Sequence, residues 1–482
     1  MDEKKIQKED KNKKMTAHAI SHPNAPGRSR AINREPAAGS LLFSDSALYS
    51  LLIPIIVEQF LNALMGMADT MMISNLGSAA ISAVSLTDSI NTLMIQVFAA
   101  LAAGGTVICS QYLGQGDLTK CNKAARQLLL IMLALSVGIT VFCLMFRGPL
   151  LSMIFGQVSP DVMDASQIYF RITVLSYPFF ALFQGGAGLY RACGDSKLPM
   201  RISIITNMMN IAGNTLLIFV IPMGVAGAAL STLLSRVAAA VWILGYLHMN
   251  RQNIVVRNYL SVRPDADMIR RILFLSVPSG VENGMFQFGK LAIQSSVSTL
   301  GTTAIAAQAM TAILENVNGI AGCGIGIGMM TVVGQCLGAG RKDQAVYYIK
   351  KLSVWAEVAI MLSCIFVFMI SGQIVRLAGM EPDAAALCIK MVALITVVKP
   401  LFWVLSFIPA YGFRAAGDVR FTMLVSSLTM WLCRVAGAIF MIHVLHLGIL
   451  SVWIGMFLDW GIRALIYQIH FNRGNWLKKS VI

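Results

Sequence analysis

Charge is what this sequence has least of. It carries 38 basic and 23 acidic side chains, 61 in 482 residues or 13%, where soluble domains carry about 25%. A soluble chain of this length would divide into two or three domains, each needing a polar surface. So few charges cannot supply one, and the solvent for most of the chain is therefore lipid. That excludes a soluble enzyme, a secreted disulfide scaffold and, despite a net charge of +15, a nucleic-acid binder. Catalytic signatures are missing too: there is no HExxH, no GxSxG with a partner and no GxxxxGK[ST]. The histidines (His18, His22, His248, His443, His446, His470) fall early in the chain or near the edges of apolar stretches. The nine cysteines show no CxxC pair and no His/Cys metal spacing. Cys109, Cys143, Cys323, Cys364, Cys388 and Cys433 lie in apolar runs and read as small hydrophobes. No cofactor and no metal is expected.

Residues 1–40 hold nine Lys/Arg and five Asp/Glu with scattered Pro, Gly and Ser. They contain no apolar stretch of the length a signal peptide needs. The composition predicts a disordered, solvated tail; an anchor to anionic lipid is the other reading.

The rest of the chain repeats apolar stretches long enough to cross about 30 Å of hydrocarbon. The predicted spans are roughly 45–74, 79–111, 122–147, 162–190, 198–222, 225–249, 268–299, 303–336, 344–371, 384–412, 421–445 and 448–471. The ten-residue alternation of barrel strands is absent. Placing the tail, alternate loops and carboxyl terminus on one side collects 29 of the 38 Lys/Arg there. The opposite loops hold only Arg147 and Arg376, and seven bases fall within spans. An even number of spans with both termini in the cytoplasm satisfies the positive-inside rule, and the expected location is the plasma membrane.

The two halves repeat each other. Pro54 and Glu58 recur as Pro278 and Glu282, 224 residues on. Gln111-Tyr-Leu-Gly-Gln-Gly116 matches Gln335-Cys-Leu-Gly-Ala-Gly340 at the same offset, and Arg191-Ala-Cys-Gly-Asp195 matches Arg414-Ala-Ala-Gly-Asp418 at 223. Six spans per repeat make the halves parallel, related by an axis along the membrane normal. The predicted fold is thus an all-α polytopic membrane protein of twelve helices in two lobes. A tail (1–40) precedes the N-lobe (41–249), a cytoplasmic linker (250–267), the C-lobe (268–472) and a cytoplasmic carboxyl terminus (473–482). Two lobes about such an axis suggest a cleft exposed to alternate sides by rocking. With no nucleotide-binding loop, the energy comes from an ion gradient or from the substrate's own.

Several of these residues together resemble the MATE (multidrug and toxic compound extrusion) family of transporters, prokaryotic type. They are Pro54 followed by Ala68-Asp69-Thr70, the Gln111-Tyr-Leu-Gly stretch, Arg191-Ala-Cys-Gly-Asp195-Ser-Lys-Leu-Pro199, and Asn210-x-x-x-Asn214. The resemblance covers about residues 41–472. It implies an antiporter that exports organic, often cationic, compounds against inward-moving Na⁺ or H⁺, and a monomer in membrane lipid. Some proton-coupled prokaryotic members carry Asp where this chain has Asn214. An amide cannot titrate, although Asn210 and Asn214 still donate and accept hydrogen bonds.

Charges at bilayer depth face a cavity or one another. The acids within spans are Glu58, Asp69, Asp88, Glu282, Glu315, Glu357 and Asp459; the bases include Lys290, Lys399 and Arg434. Asp69 and Glu58 share a helix that Pro54 can kink, and both are candidates for ion coupling, the alternative being structural hydrogen bonds. Asn210, Asn214 and Glu282 complete the coupling set. Asp88, with Ser85, Thr87, Ser89 and Asn91 around it, is a candidate for the cleft mouth. Lys290 has no basic counterpart in the first half, where Gly66 stands. Glu282 and Lys290 share a span, eight residues apart, and each is expected to meet a group on another helix, Glu315 being one candidate; Glu282 is expected to stay ionised near a fixed cation, while Glu58 is free to titrate. Asp459 and Arg463, one i,i+4 step apart, are expected to pair. Arg191, Asp195, Arg414 and Asp418 are expected to cap helices. The 29 methionines read as membrane-core filler or as an adaptable binding surface. The Gly322, Gly324, Gly326 and Gly328 run allows either close helix approach or a bend. A lipid-linked or polysaccharide flippase would call for a larger basic cavity; a membrane enzyme or receptor would leave the duplication unexplained.

Overall fold

The computed structural model describes residues 41–156, 159–249, 254–256, 263–479 and 481–482. The stretch read as a tail and most of the linker lie outside these residues. The first half comprises α1 (Asp45–Ser74), α2 (Ser78–Gln115), α3 (Leu118–Met145), a short α4 (Arg147–Phe155), α5 (Pro160–Leu175), α6 (Tyr177–Ala192), α7 (Lys197–Asn214) and α8 (Val225–His248). The second comprises α9 (Ala266–Val297), α10 (Thr302–Gly338), α11 (Lys342–Leu377), α12 (Pro382–Ala415), α13 (Val419–Thr429), α14 (Gly437–His443) and α15 (Leu450–Arg473). Among the described residues no strand occurs.

Ten helices, counted with their continuations, are long and apolar enough to cross a membrane, and α5 with α6 forms an eleventh span bent by 42°. The twelfth is α9, which carries Asp267, Arg270, Arg271, Glu282 and Lys290 and is correspondingly less apolar. The protein is therefore an all-α membrane protein with two six-span lobes. Large apolar side chains such as Met145, Met369 and Leu377 are exposed on the outside, as lipid as solvent requires. In both lobes the fifth span widens into a π-turn, over Thr215–Val220 after α7 and Met430–Ala436 between α13 and α14; such turns frequently mark functional sites.

Polar residues start the helices where the sequence places them. The Asp117 side chain accepts from Lys120 N at 2.9 Å and caps α3. Asp265 accepts from Met268 N at 2.8 Å and caps α9. A hydrogen bond from the Lys123 ammonium also holds the Asp265 carboxyl below the usual carboxylate range. Gly116 and Gly340 end α2 and the turn after α10 with φ of +79° and +73°, a backbone that favours glycine.

The glycine run of α10 gives close approach, not a bend. A Cβ on Gly322 would lie 2.6 Å from Trp403 and one on Gly326 would overlap Tyr411, both on α12. On the other face, a Cβ on Gly324 would lie 2.7 Å from Ile56, and one on Gly328 would overlap Leu52, both on α1. One face thus packs within its own lobe and the other against the opposite lobe. The repeat reproduces this: Gly104, the counterpart of Gly328, is closed by Ser276 of α9, the counterpart of Leu52.

The lobes also touch reciprocally at the end of the bundle where residue 41 and the carboxyl-terminal residues 481–482 lie. The Gln111 amide donates to Ala415 O at 2.7 Å, and the Gln335 amide donates to Ala192 O at 2.7 Å. A Cβ on Gly114 would overlap Gln335 O, and one on Gly338 would overlap Gln111 O. The duplicated Gln-x-x-Gly motifs are therefore the two halves of one latch. The halves of α2 and α10 beyond it are far less buried: 98–112 and 318–336 are mostly buried, whereas 78–97 and 302–317 are mostly not. The interlobe cleft is closed on the termini side and open on the other.

The latch predicts the behaviour of two variants. Gly338→Leu, which drives a side chain into the Gln111 carbonyl, is expected to lengthen the distance between spin labels at positions 120 and 342. Gln111→Leu removes one hydrogen bond, about 1 kcal/mol, and is expected to shift the closed population by roughly fivefold. An unchanged distance distribution in Gly338→Leu would contradict the latch.

Candidate functional site

The charges inside the bundle fall into two kinds, paired and unpaired. Arg191 in the last turn of α6 grips Glu58 of α1 through one nitrogen, Nη2, at 2.7 and 2.8 Å from the two carboxylate oxygens. Arg414 in the last turn of α12 donates through Nη2 to Glu282 of α9 at 2.7 Å. These pairs are the same interaction twice, built from the duplicated Pro-x-x-x-Glu and Arg-Ala-x-Gly-Asp motifs. Three corrections to the sequence reading follow from it. Glu58, expected to stand free, is held by a buried guanidinium. Lys290 is not the cation beside Glu282, because Arg414 occupies that place; and the two arginines bind carboxylates rather than cap helices. Asp195 does accept from Lys197 N at 3.0 Å, as a cap should, and Asp418 meets His470 at 2.9 Å.

Two further acids are paired. Glu315 of α10 meets Lys399 of α12 at 2.7 Å, and Asp459 meets Arg463 one turn away at 2.6 Å. Glu357 has no hydrogen-bond partner among the described residues.

Asp69 and Asp88 differ from these pairs. The Asp69 carboxylate accepts from Asn214 Nδ2 at 2.6 Å. In the amide orientation that satisfies both its ends, Asn210 also donates to Asp69 at 3.0 Å and accepts from the Thr232 hydroxyl at 3.2 Å. The four-residue spacing on α7 puts both amides on one helical face, and that face meets α1. Asp88 of α2 accepts from Asn91 at 3.0 Å and from the Tyr169 hydroxyl at 3.4 Å. The Asn91 carbonyl in turn accepts from Tyr177 at 2.7 Å. The nearby cation, Arg236 of α8, donates to Ser176 at 2.7 Å and lies 4.9 Å from the centre of the Phe180 ring. It acts on both carboxylates electrostatically without forming an ion pair with either. Asn214 Oδ1 is buried and accepts nothing from the described residues, which leaves an open acceptor on the amide that contacts Asp69.

The first lobe therefore assembles Asp69, Asn210 and Asn214 into one cluster, with Asp88 next to it. Glu58, Glu282, Lys290 and Glu315 lie apart. Sequence reasoning missed Arg236, Tyr169, Tyr177 and Thr232. A lone Arg in the apolar stretch 225–249 was the available signal for Arg236. The others are ordinary residues until the helices pack.

A model of the MatE family matches residues 54–216 and 278–440, one copy per half. The chain is similar to the probable multidrug resistance protein NorM of Thermotoga maritima, 26% identical over 90% of this chain and 94% of that one. It is also similar to the uncharacterized transporter YisQ of Bacillus subtilis, 24% identical over 90% and 96%. Among solved structures it superimposes on a multidrug resistance MATE transporter in an outward-facing conformation with a TM-score of 0.82, at 20% identity over 95% of this chain and 100% of that one.

The buried Glu58–Arg191 pair has a stability signature. Arg191→Ala leaves a carboxylate alone in the lobe and is expected to cost about 3–5 kcal/mol, read as a lowered Tm in detergent. The double variant Glu58→Gln with Arg191→Met, which removes both charges, is expected to recover most of that loss. A wild-type Tm in Arg191→Ala would show that the pair does not hold the lobe.

Proposed function

The chain belongs to the MatE family of membrane transporters, and from that premise we propose that it is an antiporter. It exports small organic compounds, cationic or amphipathic, by alternating access while H⁺ or Na⁺ moves inward. The names of its relatives support organic compounds as the cargo. The observation that carries ion coupling is Asp69, a carboxylate inside a membrane-spanning helix whose direct donors are amides and not a fixed cation. A carboxylate locked to Arg, such as Glu58, has its counter-charge permanently. Asp69 has none in contact, so binding H⁺ or Na⁺ is what neutralises it. The vacant Asn214 oxygen adds a ligand for Na⁺ or an acceptor for a protonated carboxyl.

Neutralisation lowers the cost of enclosing the carboxylate in a drier cleft, which biases the lobes toward closing over the ion and opening the other side. Pro54, in the same helix as Asp69, removes a backbone hydrogen bond and lets α1 respond to that change. All the residues of these clusters come from one chain, which supports a monomer. The termini side faces the cytoplasm of a plasma-membrane protein, where most Lys/Arg lie, and the open cleft then faces outward.

Two measurements test this reading. Asp69→Asn is expected to abolish gradient-driven efflux while expression and Tm stay near wild type; undiminished efflux would move coupling elsewhere. For topology, single cysteines at positions 120 and 342, on a background without the native cysteines, are expected to react with an impermeant reagent only after permeabilisation. Labelling in intact cells would invert the orientation.

A further inference from the structure

The second lobe carries a cluster of opposite sign that the coupling scheme does not use. Lys290 of α9 and Arg434 of the π-turn flank one ring, Phe286, at 5.1 and 5.3 Å from its centre. Neither lies within 4 Å of a carboxylate oxygen among the described residues, and Arg434 Nε is buried with no acceptor. Lys399, fully buried, stands 5.3 Å from the Trp403 ring and is matched by Glu315. Glu315 is also within electrostatic range of Lys290 and Arg434. Arg434 is also within range of Asp459, which Arg463 already holds, so four cations share two carboxylates. In the first lobe, two carboxylates share the single Arg236. The positions that carry Glu315 and Lys399 are held there by the neutral Asn91 and Ser176, 224 and 223 residues earlier.

Unmatched cations inside a bilayer are costly and retained where they meet an anion. Lys290 is exposed, Arg434 offers a planar donor set suited to carboxylate or phosphate, and Phe286 sets the two cations against one ring. We propose that Lys290, Phe286 and Arg434 form a binding site for an aromatic organic anion, or for the anionic end of a zwitterion. The two lobes then present opposite charge to one cleft, and anionic aromatic compounds belong to the substrate range. This inference rests on the export reading for the word substrate; the site itself does not.

The test uses the full-length protein in phosphatidylcholine nanodiscs, with carboxyfluorescein as the anionic probe and ethidium as the cationic one. Wild type is expected to bind both. Lys290→Gln is expected to weaken carboxyfluorescein binding at least tenfold and leave ethidium binding within twofold, with Lys290→Arg restoring the anion. The Tm of Lys290→Gln is expected to be unchanged or higher, since an unmatched charge is removed. Carboxyfluorescein binding that is absent in wild type, or equal in wild type and Lys290→Gln, overturns the site. So does displacement of the dye by phosphatidylglycerol at its ordinary membrane fraction, which would assign the cations to lipid. Proteoliposomes separate the two readings. If Lys290-dependent binding persists but neither dye crosses, export fails and the site stands. If ethidium crosses but the anion does not bind, the site fails and export stands.

Discussion

A charge inside hydrocarbon must find a partner. Most of this architecture follows from how that constraint is met. Desolvating one carboxylate or guanidinium costs several kcal/mol, so most buried acids are matched by a base, Glu58, Glu282 and Glu315 by one from another helix and Asp459 by one a turn away. Glu58 meets Arg191 and Glu282 meets Arg414, tying the first span of each lobe to its fourth. These contacts consume the most obvious acidic residues. What remains without an ion-pair partner among the described residues, Asp69 and Asp88 in one lobe and Lys290 and Arg434 in the other, is where we propose that solutes act.

Pseudo-symmetry explains why the Glu58–Arg191 and Glu282–Arg414 pairs are one contact built twice, while Glu315–Lys399, Asp459–Arg463 and the unmatched charges belong to one lobe each. The duplicated motifs build the scaffold: the proline-containing first helix, the Glu–Arg pair, and the latch in which each Gln donates to the opposite lobe. Rocking needs two similar surfaces that part and rejoin, and the small Gly114 and Gly338 let the backbones meet there. Asp69 and Lys290 have no charged counterpart in the other lobe (Ile293 and Gly66 stand there), so each lobe carries a different charge on the same frame.

The sequence made much of this legible. Twelve spans appear near their true limits because lipid imposes a length and a polarity on each. The Pro54/Glu58 and Pro278/Glu282 repeat was visible, as was the i,i+4 pairing of Asp459 with Arg463. Asp69, Asn210 and Asn214 were singled out, and the fold brings them together. The partner of Glu58 was not legible: Arg191 lies 133 residues away and sits where a capping residue would. Glu282 was expected to meet a group on another helix, but the sequence did not say which; the partner, Arg414, arrives from α12. The glycine run remained ambiguous for the same reason, since only packing tells which neighbour fills each gap.

The account's central claim is that an organic solute and a coupling ion exchange across the same protein. The most direct measurement starts with no ion gradient at all. Proteoliposomes carrying the protein are loaded with ethidium and diluted, while internal pH and ²²Na⁺ are followed. The account predicts that outward ethidium movement drives H⁺ or Na⁺ inward, with a fixed ratio of ion to dye. Ethidium leaving at the same rate with neither ion entering would contradict it.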